Sequence, residues 1–207
     1  PLHTNFKLSS DGEYLGLLDP SGTIIHDYAP FFPVQQEDIS YGLIADIYSQ
    51  TVIAPFNPAR AMVPSSDNGS TDWKEPSFDD SGWLSGKTGI GYDTSSDFRP
   101  YIGLDVLEEM YGIATSAYIR INFEWTAEDM IGLPMSLSMQ YDDGFTCWLN
   151  GTPIAMANSP DLDELEWNSH ATDTRDDEDA IAPETYPIDP EPWTLLEGMN
   201  TLAIQAL

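Results

Sequence analysis

The sequence predicts an all-β sandwich with one short helix, and three observations carry that prediction. Apolar and polar residues alternate with a period of two, most strictly in AYIRINFEW (117–125). There Ala117, Ile119, Ile121, Phe123 and Trp125 interleave with Tyr118, Arg120, Asn122 and Glu124, a pattern that makes one face of a half-buried strand and scatters around a helix. Turn signals, DDG, NG, SPD and EGMN, recur between such runs. Only GLDVLEEMYG (103–112) carries helix signals: Asp105 as N-cap, Glu108 three positions on, Gly112 as a stop. Many short strands with frequent turns suit two packed sheets.

The other strands follow the same logic. MSLSMQY (135–141) sets Met135, Leu137, Met139 and Tyr141 on one side. FTCWLNG puts Phe145, Cys147 and Leu149 inward and Thr146 and Trp148 outward, before an Asn150-Gly151 pair suited to a tight hairpin. TLAIQAL (201–207) contributes Leu202 and Ile204. The segment FKLSSDGEYLGLLDPSGTIIHDY reads as three short strands joined by SSDG and DPSG turns. The Pro- and Gln-containing APFFPVQQEDISYGL then reads as an irregular connection. Three strands are too few for a sandwich of their own. The chain therefore divides into a short β segment with its linker, residues 1–50, and a sandwich, residues 51–207, on which the first segment is expected to pack.

Of 207 residues, 35 are acidic and 7 basic, a formal net charge of −28. Phosphate binding needs a basic patch, so nucleic acid is disfavoured as a partner, as is an anionic membrane surface. No apolar run is long enough to span a bilayer, which argues against membrane insertion. Such a charge suits a salty or calcium-rich medium. Cys147, the only cysteine, sits in an apolar strand and reads as an inert core thiol. The chain begins without Met and stops within an apolar alternation, so it reads as part of something longer.

Catalytic patterns are scarce. Three histidines, no Gly-x-Ser-x-Gly elbow and no His-Glu-x-x-His pair leave zinc and nucleophilic catalysis without their residues. GIGYD (89–93) lacks the third glycine of a nucleotide fingerprint. Asp142 and Asp143 are a candidate acid–base pair, but neighbours on a strand point to opposite faces, and a turn stabilised by Asp is the plainer reading. The expectation is a protein that is not an enzyme. Calcium takes six to eight oxygens from carboxylates and loop carbonyls, and YDTSSDF (92–98) offers Asp93 and Asp97 near Asp105. ATDTRDDEDA (171–180) is a second acidic run, read as a solvated face.

Residues 2–42, through FKLS-DGEYLGL-DP-G and the closing SYG, resemble the C-terminal half of a lamin-tail domain of large secreted bacterial proteins. The stretch from about 67 to 207 resembles the galactose-binding-like jelly rolls that follow it in such proteins. The order of W…P-FDDSGW-SGKTGIGYD, SAYIRI-F, YDDGF-CWLNGTPIA and LLEGMNTLAIQAL carries that likeness. The resemblance implies a jelly-roll sandwich, an extracellular setting and a structural calcium in the 92–105 loop. It makes Trp83 of FDDSGW a packed residue, with Asp79 or Asp80 holding a turn. It leaves Trp148 three roles: capping a loop laid over the sheet, stacking on a sugar ring, or joining copies of the chain.

The leading expectation is a secreted, non-catalytic module for carbohydrate binding, surface attachment or cell adhesion. Its ligand residues would be Trp148, Asn150, Asp142 and Gln140, with Trp167 of LEWNSH as a second aromatic. The partner would be a glycan or cell-surface polymer. The alternative is a structural module assembling with copies of itself by strand addition at either end of the chain.

Overall fold

A computed structural model describes residues 7–35, 50–66, 72–126, 135–188 and 195–207. The chain separates into two compact units, Pro1–Ser49 and Gln50–Leu207. The second is an all-β sandwich.

In the first unit, β1 (Leu15–Leu18) and β2 (Ile24–Tyr28) form an antiparallel pair with Leu15 opposite Tyr28 and Leu17 opposite His26. The DPSG turn joins them. One Asp19 carboxylate oxygen accepts from Ser21 N (2.8 Å), Ser21 Oγ (2.6 Å) and Thr23 N (2.9 Å). This is how Asp competes with the strand ladder and sets a turn. The expected first strand does not form over residues 7–9, where Ser9 instead bonds the SSDG turn. Most of the expected irregular connection lies outside the described residues.

The sandwich is built on a six-stranded antiparallel sheet. Its centre is β7 (Ala117–Trp125) against β12 (Gly198–Ala206), paired over nine residues from Ala117–Ala206 to Trp125–Gly198. Outside β12 lie β9 (Phe145–Leu149) and β10 (Thr152–Ala157); outside β7 lie β3 (Pro58–Met62) and β4 (Leu84–Lys87). The Asn150-Gly151 hairpin forms with φ of 50° and 82°, the left-handed values that this dipeptide tolerates. β5 (Ile90–Gly91) and β6 (Leu104–Asp105) form a short parallel pair.

One face of the large sheet carries the main core. Ile119, Ile121 and Phe123 meet Phe145, Cys147, Leu149, Leu202 and Ile204, all buried. The opposing layer is β8 (Met135–Met139) with β11 (Glu184–Ile188), which presses Leu137, Met139, Tyr141 and Tyr186 onto it. Each fully buried large side chain contributes about 1.5–3 kcal/mol. Burial pushes the Cys147 thiol up to about 12, which keeps it protonated at neutral pH.

The helical prediction needs correcting in extent. Helix α1 spans only Leu107–Met110, one turn, with Val106 rather than Asp105 at its N-cap. Asp105 still serves the start, its Oδ1 accepting from Leu107 N at 2.9 Å, and Gly112 ends the segment at φ 70°. A second one-turn helix, α2 (Asp177–Ala180), forms within the acidic run, where none was expected. Glu178 and Asp179 stand in its first turn, where the positive end of the helix dipole favours them.

Candidate functional site

The two aromatic residues that the sequence offers to a ligand are both used for packing. Trp148 does point away from the main core, but a loop lies over it. The 3-10 turn Asp72–Lys74 brings Trp73 flat against Tyr118 of β7, with centroids 4.2 Å apart and planes at 8°. The same indole meets Trp148 edge-on at 5.6 Å, and the Lys74 ammonium sits 4.0 Å from the centroid of the Trp148 ring. Trp148 is left 3% exposed, so the expectation of a sugar-stacking platform is corrected: its ring is covered by protein. Trp167 is half-buried and packs against the same cluster, as do Trp83, Phe78 and Leu165. Asn150 is also committed, its amide donating to Asn200 Oδ1 (2.7 Å) and its oxygen accepting from Thr201 N (2.8 Å).

Under this aromatic layer lies a group that the alternation misreads. Arg120, assigned to the solvent side of β7, is buried. Its Nε donates to Asp80 at 2.8 Å, Nη1 to the carbonyls of Trp73 and Glu75 (the latter at 3.0 Å), and Nη2 to Phe78 O at 3.5 Å. Asp80 also meets Arg60 Nε at 3.3 Å, while Asp79 holds the FDDSGW turn through Ser81 N at 3.0 Å. One guanidinium thus fastens the 73–80 loop onto the sheet.

Gln140 and Asp142 flank Tyr141, which meets a residue that the sequence reading passed over. Arg175 places its guanidinium 4.2 Å from the centroid of the Tyr141 ring. Its Nη1 donates to Tyr141 Oη (2.7 Å) and Glu184 Oε2 (3.1 Å), and its Nη2 to Asp179 O (3.1 Å). Its backbone N–H donates to Asp143 Oδ1 at 2.7 Å. Tyr141 Oη donates to Glu184 Oε2 (2.7 Å), and Tyr186 Oη donates to Tyr141 Oη (3.1 Å). The Gln140 side-chain amide donates to Ile181 O, tying the neighbouring loop to β8. The Nε–H of Arg175 has no partner among the described residues. The signal was a lone arginine inside TDTRDDEDA, in a chain with only seven basic residues.

The electrostatics of this cluster are uneven. Hydrogen bonds from Tyr141 and Tyr186, with Arg175 nearby, hold the Glu184 carboxyl below its ordinary range. Burial and the Glu184 bond raise both tyrosines, so their hydroxyls remain neutral donors. Asp142 moves the other way, raised first by burial and then by the neighbouring charge and hydrogen bond of Asp143, with Asp177 adding to it. Asp142 and Asp143 stand in a bend outside any strand, so the rule that strand neighbours face opposite ways does not apply.

The three carboxylates expected to hold calcium are otherwise engaged or apart. Asp93 accepts from Ser95 N (2.7 Å), Ser95 Oγ (2.8 Å) and Phe98 N (3.0 Å), which closes the 93–98 loop on itself. Asp105 caps α1, and Asp97 is exposed. Among the described residues no three His, Cys, Asp or Glu side chains gather to hold a metal ion.

The fold defines a β-sandwich protein with a polar, tyrosine- and arginine-centred cluster. No family model matches the chain, and no curated protein matches it. Several solved structures are similar over most of its length. One is the β-glucuronidase of Ruminococcus gnavus, 12% identical, with a TM-score of 0.43, covering 73% of this chain and 20% of that one. Another is a Faecalibacterium prausnitzii β-glucuronidase, 11% identical, with a TM-score of 0.43, covering 77% and 22%. A third is a β-glycosidase from Bacteroides vulgatus, 14% identical, with a TM-score of 0.41, covering 74% and 16%. The chain spans less than a quarter of the length of each.

Proposed function

We propose that this chain is a non-catalytic, extracellular sandwich module that binds a neutral glycan and so attaches a larger secreted protein to a polymer or cell surface. The observation that carries the reading is the cluster of Tyr141, Arg175, Glu184 and Tyr186, with Gln140 and Asp142 flanking Tyr141 in the chain. Sugar hydroxyls both donate and accept. This region offers the exposed Asp142 and Glu184 carboxyl groups as acceptors, and the second N–H of the Gln140 amide, beyond the one given to Ile181 O, as a donor. The Arg175 hydrogen bonds hold Tyr141 and Glu184 in place before any ligand arrives, which lowers the ordering cost of binding. A net charge of −28 repels uronic or sulfated polymers and selects neutral ones.

Binding without catalysis fits the carboxylates. A glycosidase sets two carboxyl groups about 5–9.5 Å apart across the scissile bond. Here Asp143 is committed to the Arg175 backbone and Glu184 to Tyr141 and Arg175, leaving Asp142 as the less engaged carboxyl. The test is affinity electrophoresis against a panel of neutral polysaccharides, with Asp142→Ala and Gln140→Ala as variants. Retention of the native protein should weaken in both while their Tm stays close to native. Retention that ignores both substitutions, or is absent for every polysaccharide, refutes the reading.

One observation favours self-assembly as a second reading. In the first unit Leu17, Leu18, Ile24 and Ile25 are all exposed on a two-stranded sheet, a size of sheet that is marginal in water. Light scattering with Leu17→Lys and Ile25→Lys variants decides it: assembly through this hairpin requires oligomers in the native chain that the two lysines dissolve.

A further inference from the structure

We infer that the tyrosine pair Tyr92–Tyr111 is a binding site for an organic ammonium group, such as a quaternary or alkylated amine. It is separate from the Arg175 cluster. The fold builds it locally. β5 and β6 run parallel with Gly91 opposite Asp105, so the residues that follow each strand emerge at the same end of the pair. Tyr92 comes directly after β5. After β6, the single turn of α1 delivers Tyr111, whose N–H bonds back to Leu107 O at 3.0 Å before Gly112 turns the chain away. The two rings meet edge to face, with centroids 5.8 Å apart and planes at 73°.

That contact engages one ring face, and both residues still reach solvent: Tyr92 is 38% exposed and Tyr111 is 61% exposed. Two phenol rings held at a steep angle present π-surface to a single guest from two directions, and a cation is attracted to such faces. The local charge selects the guest. The segment 92–111 carries Asp93, Asp97, Asp105, Glu108 and Glu109 against one cation, Arg99. Arg99, the one cation of the segment, acts electrostatically on Asp93. An anion is repelled here. A strongly hydrated inorganic cation gains little from a ring face. A bulky ammonium, weakly hydrated and positive, fits both the rings and the field.

Tetramethylammonium chloride is the probe, titrated into protein with 13C-labelled tyrosine rings and read by NMR. Sodium chloride at matched ionic strength controls for salt, and tert-butanol serves as the neutral molecule of the same shape. The ring signals of Tyr92 and Tyr111 should shift saturably with tetramethylammonium and stay still with the other two. Tyr111→Ala should remove the Tyr92 response or weaken it by at least about fivefold, while Tyr111→Phe keeps it. An equal response to tert-butanol overturns the inference, because the surface is then merely apolar. So does the lack of a saturable shift, or a Tyr92 shift that survives Tyr111→Ala. Should Tyr111→Ala unfold, the same comparison is made with Tyr92→Leu, reading the Tyr111 signal.

Discussion

The two faces of the six-stranded sheet are buried by different chemistry. One is covered by a second sheet: aliphatic and phenylalanine side chains of β7, β9 and β12 meet Leu137, Met139, Tyr141 and Tyr186. The other is covered by loops, through Trp73, Tyr118, Trp148 and Ala203 with half-buried Trp83 and Trp167, fastened by the Arg120 guanidinium. A sheet can cover its neighbour with interchangeable aliphatics. A loop needs large rings to reach down, and a polar anchor to satisfy the carbonyls that it brings into the interior. The difference explains why Tyr118 and Arg120 of β7 and Thr146 and Trp148 of β9 are polar or aromatic and yet inaccessible, while Asn122 and Glu124 further along β7 are exposed.

Matched truncations test this most severely. Phe145→Ala on the first face and Trp148→Ala on the second should each cost about 4 kcal/mol, read by urea denaturation. If Trp148 were a surface platform, its truncation would leave Tm nearly unchanged. Next in size is Arg120→Met, at about 3 kcal/mol, because it takes the donor from the Trp73 carbonyl and leaves the Asp80 carboxylate with only the more distant Arg60. Adding Asp80→Asn should recover part of that loss, as expected of directly coupled partners. A cost below about 1 kcal/mol for Arg120→Met would show that the rings hold the loop without the anchor.

Much of the first face is readable in sequence and little of the second. The alternation marks β7 as Ala117–Trp125 and the inward residues of β9 and β12, because a sheet-on-sheet core depends only on period two. The Asn150-Gly151 hairpin and the DPSG turn are equally local. Strand β3, PARAM, has no clean alternation and owes its place between β7 and β4 to tertiary pairing. The burial of Trp148 and Arg120 depends on residues 73–80, at least 40 positions away, and no local pattern reports such a contact. Gln140 and Asp142 enter the sequence reading only as polar company for Trp148, whose ring the structure buries under the 72–74 turn. Glu184 and Tyr186 reach Tyr141 across the β8–β11 pairing, which sequence leaves open.

Smaller effects separate turn-forming carboxylates from those available to a ligand. Asp93→Ala removes three hydrogen-bond acceptances and should lower Tm by clearly less than the two losses above, with added calcium making no difference to the gap. A calcium-dependent gap would assign Asp93 to a metal. Glu184 sets a pH dependence. Its pKa is lowered in the folded state, so its stabilisation is present above its ordinary value of 4.5 and is lost as pH falls through the folded value. Glu184→Gln should therefore flatten the acid limb of a Tm-versus-pH curve.

The smallest expected effect has the opposite sign and bears on function. Asp142 has a raised pKa in the folded state, so its contribution is favourable only at low pH and is lost as pH rises through the folded value. At neutral pH its charge therefore works against folding, through burial and the nearby Asp143 and Asp177. Asp142→Asn removes that charge at constant shape and should stabilise the protein at pH 7. The side chain is partly solvated and screened, so the gain stays below about 0.5 kcal/mol. It should shrink as pH falls through the raised folded value, below which the native carboxyl is protonated too. The same substitution should weaken glycan retention, since an amide replaces one acceptor oxygen with a donor. A residue that costs stability and carries binding is what a functional position in a marginally stable fold looks like. Asp142→Asn lowering Tm at pH 7 would instead make the carboxylate a structural partner of the Arg175 hub, and the two halves of the comparison would share one logic.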